Sequence, residues 1–235
     1  MNVAPYIITE RTIVDAWRQC TSNLLSSGDR FNLLVHISDP TVVDYDLIQQ
    51  YDPKRVNSST MSVFDVANTI FPRQGVKWNL GVDGFSNYYI RVYERLKRRS
   101  SPTWGFYFQR IACFGPVRIN QLARVINGLD NWGRNHHAAF VLHVSSSELD
   151  KPRPQGGPCL QYAQFMANGE KIELTVVYRS HDYFSKALGN FLGLSRLLTY
   201  VCRKTSHEVG SLSCLSTYAF LGPNRTKAKQ LLSIK

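Results

Sequence analysis

Cys159 stands in "GGPCLQYAQF", behind a proline and ahead of an alternating run. A cysteine there is either a nucleophile or a small buried hydrophobe, because free cysteine packs well and reacts only as thiolate. The partners decide. "YRSHDYFSKALGN" follows and holds Arg179, Ser180, Asp182 and Asn190 in one short stretch. An arginine beside a serine at a strand end can grip a phosphate, by a charged fork and one hydroxyl bond. The Asp182 carboxylate can orient a polar ring or a water. Asn190 offers a donor and an acceptor to the amide edge of a heterocycle. A nucleotide would use all three parts: phosphate grip, nucleophile and base reader. Singly, each residue also has a structural reading as buried thiol, ion pair, cap or turn.

Order and spacing add a resemblance. From Glu148 onward the chain resembles thymidylate synthase. "ELDKPRPQGGPCLQYAQF" is similar to the family's catalytic-cysteine segment, and "YRSHDYFSKALGNF" to its Arg-Ser-x-Asp-x-Phe stretch. "HEVGSLSCLSTYAF" resembles the next block, where Glu-Val-Gly leads into a strand. Upstream, "WGFYFQR" is similar to a loop with a family tyrosine, here Tyr107, and Asp65 in "VFDVANTIF" stands where the family has a glutamate. The likeness is specific for residues 148–220, weaker for 100–147 and thin before that.

The resemblance implies an α+β fold with a mixed β-sheet flanked by helices, one domain over 1–235, and a homodimer packed sheet to sheet. It implies C5 methyl or hydroxymethyl transfer to a uracil-type pyrimidine nucleotide, with 5,10-methylenetetrahydrofolate as donor. Cys159 would add to C6 of the base, which is covalent catalysis. Asp65, Tyr107 and Asp182 would complete the catalytic set. Arg179, Ser180, Asn190, Arg134, Tyr218 and Gln161 would bind substrate, with Asn190 reading the base. Asp182 and Phe184 would face the folate.

Several positions depart from the family pattern. Leu160 follows the cysteine where the family has histidine. His136 and His137 fall where it has paired arginines, and Tyr218 and Phe220 where a histidine and a tyrosine hold the sugar. "GDRFN" is the sole remnant of an Asp-Arg-Thr-Gly loop, and a short member is expected, lacking after Lys235 the family's final segment that closes over the folate. The sugar and phosphate contacts are thus altered while the base-reacting core is kept. One alternative is a catalytically altered homologue that binds nucleotides or proteins. Another is nucleic-acid binding through Arg91, Arg95 and Arg98, which share a helix face; charge alone supports it, and a solvated face explains it as well.

These residues need elements to position them. "RTIVDAWRQCTSNLLSSG" reads as an amphipathic helix closed by Gly28, and "FNLLVHIS" as a strand. Residues 41–60 are polar and turn-rich. "MSVFDVANTIF", "YYIRVYERLKRR" and "PVRINQLARVINGL" read as helices, and "HHAAFVLHVS" as a strand. "CLQYAQFMANG" and "EKIELTVVYRS" form an expected hairpin around "ANGE". "GNFLGLSRLLTYVCRKT" reads as a buried helix, "SLSCLSTYAFLG" as a last strand and the tail as a short helix.

Composition bounds the rest. The 235 residues are 43% hydrophobic, enough for a real core. The charge of +11 favours anionic partners. The cysteines number 5, without a C-x-x-C pair, which argues against a disulfide framework and a zinc site. No membrane helix or secretory signal is apparent, so a cytoplasmic protein without a membrane partner is expected.

Overall fold

The computed structural model describes residues 4–73, 76–97, 104–132, 140–150 and 156–233. The chain opens with strand β1 (Tyr6–Glu10), helix α1 (Ile13–Ser27) and strand β2 (Arg30–Ile37). Thr12 caps α1 by accepting the Asp15 N–H at 3.1 Å, and Gly28 closes it with φ at 84°. Short α2 (Tyr45–Gln50) lies in the stretch read as turns, because Asp44 accepts the N–H groups of both Asp46 and Leu47. Helices α3 (Val63–Ile70), α4 (Val82–Lys97), α5 (Tyr107–Ala112) and α6 (Gln121–Trp132) follow. Then come β3 (Phe140–His143), β4 (Leu160–Asn168), β5 (Lys171–Tyr178), two-residue β6 (His181–Asp182), α7 (Ala187–Thr205), β7 (Glu208–Phe220) and α8 (Arg225–Leu232).

This is an α+β architecture on one mixed sheet, as expected. The strand order is β1-β2-β7-β5-β4-β3, with β6 added beside the end of β7. β1 runs parallel to β2, and β7 parallel to β5; β2–β7, β5–β4 and β4–β3 are antiparallel. The β4–β5 hairpin forms where "ANGE" predicts it, with Asn168 opposite Lys171 and Gly169 at φ 61°. The strand at Tyr6–Glu10 escapes a sequence reading. It is short, and its partner lies across a helix.

Helices cover one face of the sheet. Inward residues such as Val35, Leu174, Val176 and Leu212 are fully buried. The outward face alternates with them and stays partly exposed. Across it runs a row of apolar side chains joined by strand register: Ile7 beside Leu34, Leu34 beside Leu215, Leu215 beside Val177, and Val177 beside Tyr162.

Helix α7 is the central buried helix, and α3 presses against it. The contact is close because α7 carries glycines there. A Cβ at Gly189 would lie 2.7 Å from the Val63 carbonyl oxygen, and one at Gly193 would lie 2.8 Å from that of Ala67. Aromatic packing around Phe71, Phe85, Phe108 and Tyr200 fastens α4 and α5 to the same helices. Arg110 makes a two-pronged bridge to Asp150 at 2.6 and 2.7 Å and donates to the Val144 carbonyl, which ties the segment after β3 to α5. Arg91 and Arg95 are exposed on α4, and Arg98 lies outside the described residues.

Candidate active site

Six of the residues read as chemical from the sequence gather around one cavity of about 1050 Å³ between α3, α4, the start of α5 and the β5–α7 connection. That volume lies at or above the top of the range of about 300–1,000 Å³ usual for one small-molecule site. Cys159, Asp65, Tyr107, Ser180, Asp182 and Asn190 all line it. A smaller hollow of about 480 Å³ near Ser22, Leu25 and Lys229 carries no such set.

Cys159 immediately precedes β4 and is half-buried. Its backbone N–H donates to the Tyr107 hydroxyl oxygen at 3.3 Å. Burial raises the thiol above its ordinary value; the Arg179 charge opposes this, Asp182 adds to it and Lys186 opposes it. Burial also pushes the Tyr107 phenol well up, so it is a neutral hydroxyl. Arg179 clamps the cysteine loop. Its Nε donates to the Pro158 carbonyl at 3.1 Å, and its backbone N–H donates to the Cys159 carbonyl at 2.9 Å. The guanidinium also covers Gly157, where a Cβ would sit 3.0 Å from Nη2. Ser180 is half-buried on the cavity wall.

Asp182 is tied to its own turn. One carboxylate oxygen accepts the N–H groups of Phe184 and Ser185, at 2.9 and 3.0 Å, and the other accepts the Ser185 hydroxyl. It therefore shapes the lead into α7 as well as the wall. Asp65 is exposed and shares a reciprocal cap with Ser62 at the start of α3.

Asn190 is 3% exposed on the first turn of α7. Its Nδ2 meets His181 Nε2 at 3.0 Å, and His181 Nδ1 meets Ser216 Oγ at 2.9 Å. Ser216 Oγ is 3.1 Å from the Tyr183 hydroxyl. Burial alone drives the His181 imidazole down to about 3, so it is neutral.

Four expected residues do not line the cavity: Arg179, which clamps the cysteine loop from behind, and Gln161, Tyr218 and Phe184. Gln161 braces the cysteine loop, its amide donating to the carbonyls of Pro158 and Cys159 at 3.0 and 3.2 Å. Tyr218 stacks on Phe220 and donates its hydroxyl to Asp29 at 2.9 Å; Phe220 reaches the cavity and Tyr218 does not. Phe184 is buried in the core at 2% exposure, off the cavity wall. Arg134, with His136 and His137, lies outside the described residues.

The sequence reading missed an aromatic wall built by Tyr89, Tyr93, Trp104 and Phe106, and two cations on the rim, Arg73 and Lys186. It also missed His181, although "RSHDY" put it between two noted residues. Its partner Ser216 lies on another strand, where only pairing of β6 with β7 brings it near. Among the described residues no group of three or more His, Cys, Asp or Glu side chains could hold a metal ion, and no helix is long and apolar enough to cross a membrane.

By sequence, the chain is similar at low identity to several archaeal proteins named "Putative thymidylate synthase". No family model matches the chain. A Methanocaldococcus jannaschii protein named "Putative thymidylate synthase" is 23% identical over 191 residues, covering 79% of this chain and 83% of the relative. Its namesake in Methanosarcina mazei is 39% identical over 101 residues, 43% of this chain and 45% of the relative. That in Methanococcoides burtonii is 28% identical over 104 residues, spanning 46% of the relative.

Proposed function

We propose that the chain transfers a one-carbon unit to C5 of a uracil-type pyrimidine nucleotide, as a homodimer of one domain, through a covalent cysteine adduct. The observation that carries this reading is the meeting of Cys159, Tyr107, Ser180, Asp182 and Asn190 on one cavity wall. As thiolate, the Cys159 sulfur forms a bond to C6 of the base, and the electron pair of the C5–C6 double bond makes C5 nucleophilic. Arg179 supports the thiolate by its charge and, with Ser180, offers cationic and hydroxyl partners to a phosphate. Asn190 presents an amide to the base edge.

The donor is 5,10-methylenetetrahydrofolate, which when bound supplies the one-carbon unit. The aromatic wall of Tyr89, Tyr93, Trp104 and Phe106 suits a flat bicyclic ring, and Asp182 borders the same cavity. Dimer formation is supported by the outward apolar row from Ile7 to Tyr162, which a two-fold axis would lay against its own copy.

A second reading, a homologue that binds without reacting, draws on the raised thiol of Cys159 and the tied carboxylate of Asp182. Intact-protein mass spectrometry separates the two. The protein is incubated with 5-fluoro-dUMP, 5-fluoro-UMP or 5-fluorouridine, with and without methylenetetrahydrofolate, and Cys159→Ala is the control. The transferase reading expects an adduct that vanishes in the variant. A folded protein that binds nucleotide and forms no adduct supports the second reading.

A further inference from the structure

We infer that the orientation of the Asn190 amide, and with it the pyrimidine edge the cavity accepts, is set by a buried hydrogen-bond chain through His181, Ser216 and Tyr183. The binding arm of this inference rests on the nucleotide reading above. The coupling itself does not.

The chain is buried, with Asn190 and His181 at its cavity end and Ser216 and Tyr183 behind them. His181 is 1% exposed, and Ser216 and Tyr183 are fully buried. The ring of Tyr178 stacks on His181 with centroids 4.1 Å apart and planes within 7°, which holds the imidazole in place. Beside Ser216, His181 Nδ1 has the Cys214 sulfur as a distant neighbour at 4.0 Å. At the far end the Tyr183 hydroxyl meets the Cys20 thiol.

A neutral imidazole has one N–H, so one nitrogen donates and the other accepts. The chain can therefore run in two senses. In the first, Asn190 Nδ2–H donates to His181 Nε2, Nδ1–H donates to Ser216 Oγ, and the Ser216 O–H donates to the Tyr183 oxygen. In the second, the Tyr183 O–H donates to Ser216, Ser216 donates to His181 Nδ1, and Nε2–H donates to Asn190 Oδ1. The amide nitrogen Nδ2 lies against Nε2 at 3.0 Å, the heavy-atom contact that the first sense requires. Between the two senses the amide turns over, and its oxygen and nitrogen exchange places.

That exchange matters to a pyrimidine. Uracil presents a donor at N3 and an acceptor at position 4, whereas cytosine presents an acceptor at N3 and a donor at position 4. One amide orientation complements one of these edges and opposes the other. A site built to pair one pattern rejects the reverse strongly, because buried polar groups are left unpaired. His181 is thus a positioning residue acting through Asn190. Ser216 and Tyr183 set its tautomer.

Two variants turn the chain over without touching the cavity wall. In Ser216→Ala, an N–H on Nδ1 would have no good acceptor, so the proton moves to Nε2. In Tyr183→Phe, the Ser216 hydroxyl loses its acceptor and donates to Nδ1 instead, with the same result.

The test is nitrogen NMR of the full chain labelled with ¹⁵N-histidine, with the His181 signals assigned by their loss in His181→Gln. Calorimetric titration with dUMP and dCMP runs beside it. The wild-type protein should carry Nδ1–H on His181, and both variants Nε2–H. The dUMP-to-dCMP affinity ratio should shift toward cytosine at least tenfold in both. A wild-type Nε2–H tautomer, variants that keep the wild-type tautomer, or a tautomer change with an unchanged ratio each overturns the inference. If neither nucleotide binds the wild-type protein, the nucleotide reading falls, and the tautomers still decide whether the chain sets the amide.

Discussion

Cys159 donates its backbone N–H to the hydroxyl oxygen of Tyr107 across 3.3 Å, joining the segment before β4 to the first residue of α5. The tyrosine thus supports the cysteine through the main chain. Tyr107→Phe leaves that N–H without its acceptor, a cost of about 1–3 kcal/mol. If the strain is felt where the sulfur must attack, adduct formation slows about ten- to a hundredfold. Adduct rates measured by mass spectrometry check this, and an unchanged rate removes Tyr107 from the catalytic set.

Burial raises the Cys159 thiol, so little thiolate exists at neutral pH. Its alkylation by iodoacetamide should rise about tenfold per pH unit through neutrality, read on the peptide that contains it. Arg179→Met removes a charge that favours thiolate and should slow the reaction roughly three- to tenfold. Asp182→Asn removes a charge that opposes thiolate and should speed it. Both variants moving in the same direction would mean that loop geometry, not charge, controls the sulfur.

His181 titrates at about 3 in the fold against an ordinary 6.5. Between those values the unfolded chain binds a proton that the folded chain refuses. The stability it contributes is therefore complete above pH 6.5 and is lost as pH falls toward 3, at about 1.4 kcal/mol per unit. Urea unfolding at pH 5 should show a loss of about 2 kcal/mol from this group relative to pH 7. In His181→Gln the pH dependence should flatten by that amount, and an equal slope in both proteins would sink the assignment.

Leu215 sits mid-row on the outward sheet face, between Leu34 and Val177. Leu215→Lys places a charge where a second copy would pack. Sedimentation velocity should find a dimer for the wild-type chain and a monomer for the variant, with the cavity still able to bind nucleotide. A wild-type monomer at tens of micromolar would refute the sheet-to-sheet dimer.

Local signals carried much of the fold. Gly28 marked the end of α1, and the alternation on either side of "ANGE" gave the β4–β5 hairpin. The apolar run of α7 announced a buried helix. The β1 strand was illegible because its five residues gain meaning only beside β2. The same division holds at the site. Cys159, Ser180, Asp182 and Asn190 were visible as residue types in order, and the structure puts them on one cavity. Gln161 and Tyr218 have the right chemistry, yet their hydrogen bonds are spent on the cysteine loop and on Asp29. Phe184 packs inward because the turn held by Asp182 aims it at the core.

Gly189 and Gly193 touch no part of the cavity, yet they fix its width. Val66 and Thr69 on α3 form one wall and Asn190 on α7 another, and the seam between the helices has no room for a methyl group. A relative with alanine at either glycine would hold the walls further apart while keeping every lining residue. Two such proteins would look identical at the site and accept ligands of different thickness. Ligand preference here is written partly in atoms that are missing, one layer behind the surface a ligand would touch.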